Sequence, residues 1–287
     1  MRERGSNTDR LACARLGKGS RGRCVATLLA LLLAACTSPA ERFDQAAHET
    51  GLARQVVSGA GFRHALFWKR GTTSSPILHV YIDGDGTLDV AGYAVSDPTP
   101  RNPFMLRLLS LDPGPAVLLG RPCYNGLAAD PGCGRELWTS ARYSDAVVTS
   151  MAAATRQILA AGPYRGIIWF GYSGGGALAM LLAARVPETA AVVTVAANLD
   201  IDAWADARGF DRLSGSLNPA RQPPLAAGIL QRHYVGANDE VVPPAVTAKG
   251  VSRPDDLKVV PSYDHRCCWE VLWPEVLADL RKAGLPP

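Results

Sequence analysis

IIWFGYSGGGALAMLLAARVPE, residues 167–188, sets one serine among four glycines. An apolar run precedes it and an alanine-rich, leucine-rich stretch follows it. Gly171-Tyr172-Ser173-Gly174-Gly175 has the spacing G-x-S-x-G. Glycines two before and two after a serine keep Cβ atoms out of a crowded strand-to-helix turn. The serine is then held in a strained backbone conformation and its oxygen projects above the end of the strand. The N–H of the next residue, Gly174, points into the same space, and the following helix brings its positive end there. A surface turn with an incidental serine needs neither the apolar strand nor the apolar helix.

Working outward, short apolar runs alternate with helical patterns. ILHVYIDGDG (77–86), AVLLG (116–120), GIIWFG (166–171), AAVVTVAAN (190–198), RHYVGAND (232–239) and LKVVP (257–261) read as strands. The run FRHALFWKRG (62–71) alternates loosely and reads as an edge strand. FMLRLLSL (104–111), Ser140–Ala161, GGALAMLLAAR (175–185), PPAVTAKG (243–250) and Trp269–Ala283 read as helices. Short apolar-rich strands alternating with helices predict a doubly wound, mostly parallel α/β sheet covered on both faces. Residues 200–224 are rich in breakers and predict an insertion over the sheet, at about 198–226.

The first 24 residues contain seven cations against Glu3 and Asp9, and an apolar run, Val25–Ala35, ends at Cys36. A basic segment, a short apolar stretch and small residues describe an export signal. The run is too short to span a bilayer, which needs roughly 20 apolar residues. LAAC (33–36) resembles the bacterial lipobox, whose cysteine becomes the lipidated first residue. That implies a membrane-anchored envelope protein, and Thr37 rather than Asp after Cys36 favours the outer membrane, facing the periplasm. Residues 37–60, polar and Ala-rich, read as a tether, with the folded domain over 61–287. The whole chain has 30 Lys and Arg and 26 Asp and Glu. Without residues 1–36 it has 23 against 24, a net charge of −1, so no basic stripe argues for a nucleic-acid partner. Beyond residue 36 four cysteines remain: Cys123, Cys133, Cys267 and Cys268. An exported chain permits disulfides, and four cysteines allow three pairings. No CxxC pair or histidine cluster suggests zinc, and no cofactor or metal enters the reading.

A serine hydroxyl needs a base to act as a nucleophile. His48 lies in the expected tether; His64, His79 and His233 fall inside predicted strands, where a satisfied core histidine is expected. His265, in SYDHRCCW between the last strand and the last helix, is the candidate base. A base needs an acid to fix its tautomer. Asp239, directly after the strand RHYVGAND, is the candidate. Glu240, Asp200 and Asp202 are its rivals, Asp264 is too close in the chain to align with its neighbour, and a helix-capping role is the competing reading of Asp239.

From about Phe62 to Ala283 the chain resembles the α/β-hydrolase superfamily, on GYSGGG, GANDEVVP, the Asp264-His265 pair and YIDGDG. The order Ser173, Asp239, His265 is the order that superfamily uses. The resemblance implies an α/β-hydrolase fold with a lid-like insertion. It further implies a Ser-His-Asp serine hydrolase that needs no cofactor and acts on a small-molecule acyl substrate. An ester-cleaving enzyme is the first expectation; a peptidase or thioesterase with the same triad, or a non-catalytic envelope lipoprotein of the same fold, are the alternatives. The resemblance also implies that the backbone N–H groups of Gly174 and Asp85 form an oxyanion hole. Asp83 stands where that family more often has histidine, which leaves Gly84 and Gly86 open as donors. The side chains of Asp83 and Asp85 are expected to turn away from the site. A calcium loop is the competing reading of DGDGTLD (83–89), although it lacks the distal Glu.

Overall fold

The computed structural model describes residues 37–69 and 75–285. The export signal and Cys36 lie outside the described residues. No helix among the described residues is long and apolar enough to cross a membrane.

Ten strands form among the described residues: β1 (Ala53–Ser58), β2 (Arg63–Lys69), β3 (Ile77–Ile82), β4 (Asp89–Val90), β5 (Tyr93–Ala94), β6 (Ala116–Leu119), β7 (Gly166–Tyr172), β8 (Thr189–Val195), β9 (Leu230–Gly236) and β10 (Leu257–Val260). The helices are α1 (Pro39–Glu49), α2 (Phe104–Leu111), α3 (Asp145–Ala161), α4 (Gly174–Ala183), α5 (Ile201–Arg208), α6 (Pro244–Lys249) and α7 (Trp269–Lys282). Eight strands make one sheet in the order β1-β2-β6-β3-β7-β8-β9-β10, and β4-β5 is a separate hairpin. Within the eight-stranded sheet the ladder from β6 to β10 is parallel throughout, and only β1-β2 and β2-β6 are antiparallel; the β4-β5 hairpin is antiparallel as well.

Side-chain alternation along the central strands builds two cores. Leu78, Val80 and Ile82 of β3 and Ile167 and Trp169 of β7 face the layer of α3 and α4. Tyr81, Ile168 and Phe170 face the other layer, where α1, α2 and α7 supply Phe43, Phe104, Trp269 and Trp273. Both faces of β3 and β7 are therefore dry, which is why these strands read as apolar-rich runs rather than as an apolar-polar alternation.

Two boundaries differ from the sequence expectation. Residues 37–60 are not a tether: Pro39 onward belongs to the compact unit, with Phe43 and Ala47 of α1 buried and β1 closing the sheet. The sheet edge is accordingly β1, not β2. The long helix begins at Asp145 rather than Ser140. Ser144 stays extended, and its hydroxyl accepts from the Val147 N–H, capping the helix. The segment 198–226 holds α5 and a short turn of 3-10 helix at Pro219–Arg221, and contains no strand.

Disulfides join Cys123 to Cys133 and Cys267 to Cys268. The first closes a loop of ten residues' separation beside the sheet edge. Chain entropy alone makes such a bridge worth roughly 3 kcal/mol.

Candidate active site

Because β6, β3, β7, β8, β9 and β10 run parallel, the loops that follow them emerge at one edge of the sheet. Such an edge is where open α/β sheets gather ligand-binding groups. Ser173 follows β7 directly, Asp83 to Asp85 follow β3, Arg121 follows β6, Asp239 follows β9 and His265 follows β10.

Ser173 has φ 51° and ψ −124°, a conformation that only a tightly enclosed turn maintains. The enclosure is visible at its glycines. A Cβ on Gly171 would lie 2.5 Å from the Gly175 carbonyl oxygen, and one on Gly175 would run into the Ile82 carbonyl of β3. The elbow therefore packs backbone against backbone. Gly174 is the first residue of α4, so its N–H has no partner four residues back within the helix.

His265 Nε2 lies 3.2 Å from Ser173 Oγ, and Nδ1 lies 2.9 Å from Asp239 Oδ2. Asp239 is 3% exposed. Its Oδ1 accepts from the N–H groups of Val241 (2.9 Å) and Val242 (2.8 Å), so the carboxylate ties down its own turn and aims its second oxygen at the imidazole. The capping expectation for Asp239 is thus replaced by a turn anchor, since α6 starts only at Pro244. The rival acids are occupied elsewhere. Asp200 caps α5 at Asp202 and Ala203, Asp202 pairs with Arg221, and Glu240 is exposed. Asp264 accepts from the N–H groups of Arg266 and Cys267, both at 2.7 Å, which folds the loop that carries His265. The Tyr172 ring packs against both His265 (5.2 Å between centroids) and Phe104 (4.3 Å).

Of the other histidines, His48 is exposed on α1, and the remaining three are core residues; His79 and His233 are each held through Nδ1, with Nε2 unpartnered among the described residues. His79 Nδ1 meets Asp112 at 2.6 Å and His233 Nδ1 meets Thr194 at 2.9 Å. His64 makes a second Ser-His contact, 2.8 Å from Ser150 Oγ. Its Nδ1 lies 2.9 Å from the Gly120 carbonyl and so donates, leaving Nε2 to accept from the Ser150 hydroxyl. Both residues are fully buried, and burial pushes the imidazole down to about 4. Neither faces the cleft.

The glycine-rich loop lies over the elbow: a Cβ on Gly84 would sit 3.4 Å from the Ser173 Cβ. The Gly84 N–H is engaged by Asp83 Oδ1 at 2.8 Å. Asp83 is buried, and its Oδ2 has no hydrogen-bond partner among the described residues. Burial raises its carboxyl from 3.8 to about 6, against the lowering pull of the Gly84 and Met105 N–H groups and of Arg121 and Arg107. Between those two values the folded chain holds a proton that the unfolded chain has lost, so stability falls as pH rises through this window. At about 1.4 kcal/mol per unit, the ionised form costs up to ~3 kcal/mol. Asp83→Asn is therefore expected to exceed wild type in unfolding free energy by ~1–3 kcal/mol near pH 8, and to match it below about pH 4. Urea melts at the two pH values measure this; equal gains at both would remove ionisation as the cause.

Asp85 corrects the expectation that both loop carboxylates turn away. Its carboxylate lies against Gly174, where a Cβ would collide with it and with the Tyr143 hydroxyl. Arg121 Nη1 stands 2.9 Å from Oδ1 and Arg142 Nε 3.3 Å from Oδ2. Burial works to raise this carboxyl, but Arg142, Arg121 and the Tyr143 hydroxyl prevail and hold it below the usual range. These salt bridges occupy the carboxylate that a calcium loop would need, and no cluster of three or more potential metal ligands occurs among the described residues. Arg121, Arg142 and Tyr143 are absent from the sequence reading. They come from the two ends of the connection between β6 and α3, Arg121 at its start and the adjacent Arg142 and Tyr143 near its close, and only the fold of that connection brings them to Asp85.

A cleft of about 760 Å³ opens over Ser173 and His265, walled by Phe104, Tyr172, Trp204, Phe210 and Leu213, with Arg142 in its side. Trp204 is fixed by its indole N–H to the Val241 carbonyl at 3.0 Å and by the Phe210 ring at 5.4 Å.

No family model and no curated protein matches the chain. Solved structures do. An α/β serine hydrolase without a lid from Xanthomonas campestris superposes with a TM-score of 0.55 at 14% identity, over 82% of this chain and 96% of the other. A puromycin-hydrolyzing peptidase from Mycobacterium tuberculosis gives 0.55 at 15%, over 82% of this chain and 40% of that one. A bacterial membrane phospholipase A gives 0.50 at 18%, over 92% and 97%. The parallel ladder, the strained serine elbow after β7 and these superpositions agree: the chain has the α/β-hydrolase fold.

Proposed function

We propose that the protein is a serine hydrolase that cleaves a carboxylic ester, or a related acyl bond, through an acyl-enzyme. One observation carries this reading: Ser173, His265 and Asp239 stand in hydrogen-bonded series, at 3.2 and 2.9 Å, with Ser173 and His265 lining an open cleft and Asp239 buried behind them. Ser173 Oγ attacks the substrate carbonyl carbon while its proton passes to His265 Nε2. Asp239 holds the imidazole with Nδ1 protonated and balances the imidazolium. The negative oxygen of the tetrahedral adduct is received by the N–H groups of Gly174 and Asp85. The engagement of the Gly84 N–H by Asp83 supports Asp85 over Gly84 as the second donor. Each such donor is typically worth about 100- to 1000-fold in rate. The leaving alcohol takes the proton from Nε2. Water then attacks the acyl carbon, gives a proton to Nε2, and releases the acid as Ser173 is reprotonated.

The segment over 198–226 acts in this reading as the lid-like wall, through Trp204, Phe210 and Leu213. Lipidation at Cys36 anchors the enzyme to the envelope, facing the periplasm. A fluorophosphonate probe tests the chemistry: it is expected to label one site, mapped to Ser173 by peptide mass spectrometry. A folded protein that takes no label would leave a binding lipoprotein of this fold. A matched set of ester, thioester and amide substrates separates the three acyl chemistries.

A further inference from the structure

Arg121 and Arg142 share one carboxylate, and both are 4% exposed. A buried cation without an anion costs several kcal/mol, so the second positive charge needs an account. Arg121 Nη1 stands 2.9 Å from Asp85, an ion pair without hydrogen-bond geometry, and the guanidinium is anchored by a hydrogen bond from Nη2 to the Asp83 carbonyl at 3.2 Å. Arg142 is differently placed. Its Nε reaches Asp85 only at 3.3 Å, without hydrogen-bond geometry to any described residue. Its terminal nitrogens make no hydrogen bond among the described residues. The guanidinium is held beside two aromatic rings, 5.6 Å from the Tyr143 centroid and 5.7 Å from the Trp204 centroid. Cation–π contact offsets part of the desolvation and, unlike a salt bridge, leaves the N–H edge free. Of the two arginines, only Arg142 lines the cleft that holds Ser173.

The charges around it point the same way. Arg101 and Arg266 stand on the cleft wall, exposed, in no ion pair among the described residues. The acids of that wall are Asp83, which burial drives toward neutrality, Asp85, already shared, and the exposed Asp211.

The geometry points to Arg142 as the receptor for an anionic oxygen group on the substrate, a carboxylate or phosphate carried by the same molecule whose acyl carbonyl meets Ser173. The inference rests on the hydrolase reading and gives it a substrate class: anionic acyl compounds in preference to their neutral isosteres. A planar guanidinium with a free edge matches carboxylate and phosphate oxygens in pairs, which a lysine cannot do.

The test compares mono-p-nitrophenyl glutarate, which has a free carboxylate, with its methyl-capped neutral ester. Wild type is expected to favour the anion at least about tenfold in kcat/KM, chiefly through KM. Arg142→Gln is expected to bring the ratio to near one, and Arg142→Lys to keep part of it. Inhibition by inorganic phosphate that is lost in Arg142→Gln identifies phosphate as the group; inhibition by glutarate monoamide alone identifies carboxylate. A wild-type ratio at or below one overturns the inference, as does a preference that survives Arg142→Gln. Where Arg142→Gln fails to fold, glutarate monoamide must slow fluorophosphonate labelling of wild type while the neutral diamide does not; equal effects overturn it. If neither ester is turned over and Ser173 takes no label, the hydrolase reading fails separately. The anion site is then judged by melting temperature, which the monoamide must raise above the diamide at about 10 mM.

Discussion

Ser173→Ala and His265→Ala are each expected to lower p-nitrophenyl ester hydrolysis by about 10⁵- to 10⁶-fold, and the double variant to lower it no further. The reason lies in the geometry of the pair. The hydroxyl has no other described base within reach, and the imidazole at 3.2 Å has no other proton to take. Removing either group ends the same step, so the second removal finds nothing left to lose. Neither change should unfold the protein. Alanine in place of Ser173 keeps the backbone bonds that close the elbow, the Ser173 N–H to the Val195 carbonyl at 3.0 Å and the Asn198 N–H to the Ser173 carbonyl at 3.2 Å. Oxyanion donors and the cleft remain, so a residual rate of about 10³ over water is expected. Single-turnover rates with matched melting curves decide the matter. Additive losses in the double variant would mean that the two side chains act in separate steps, and the triad would have to be given up.

How far this site can be seen in the chain alone depends on the range of the interaction that makes it. The elbow is local in its signal: Gly171, Ser173 and Gly175 are near neighbours, although the crowding that demands glycine comes at Gly171 from the turn itself and at Gly175 from the neighbouring strand β3. The acid and base are distant, but each follows its strand within a few residues, and parallel pairing delivers both to one edge. The cluster of Asp85, Arg121, Arg142 and Tyr143 has no such rule. Each member reads as an ordinary polar loop residue, and its burial exists only once the connections after β3 and β6 have closed over the sheet. The segment 39–58 fails for a different reason. β1 is exposed on nearly every side chain and is held by its backbone bonds to β2, so it has no apolar alternation to detect. The helix α1 buries only Ala40, Phe43 and Ala47 in eleven mostly polar residues. Pattern reading reports side-chain burial, and an edge strand supplies almost none.

Asp239→Asn is expected to reduce kcat by about 10⁴-fold with little loss of stability, whereas Asp200→Ala stays within a few-fold of wild type. Asparagine can keep its oxygen where Oδ1 accepts from Val241 and Val242, so the turn after β9 survives. Its amide nitrogen then faces His265 Nδ1 and donates to it. That forces the imidazole proton onto Nε2, the atom that must accept from Ser173, and the base is lost through its tautomer rather than its position. Asp239→Ala is expected to be equally inactive and also less stable by ~1–3 kcal/mol, because the buried Val242 N–H and the part-buried Val241 N–H lose their acceptor. Asp200→Ala removes only the cap of α5 and a contact to Asn218, a stability loss of about 1 kcal/mol with the reacting atoms untouched. The pairing of results is the discriminating feature. Activity lost without stability at Asp239→Asn, and stability lost without activity at Asp200→Ala, assigns the acid; the reverse pattern would move it to the loop after β8 and leave the 2.9 Å contact to His265 as a packing contact alone.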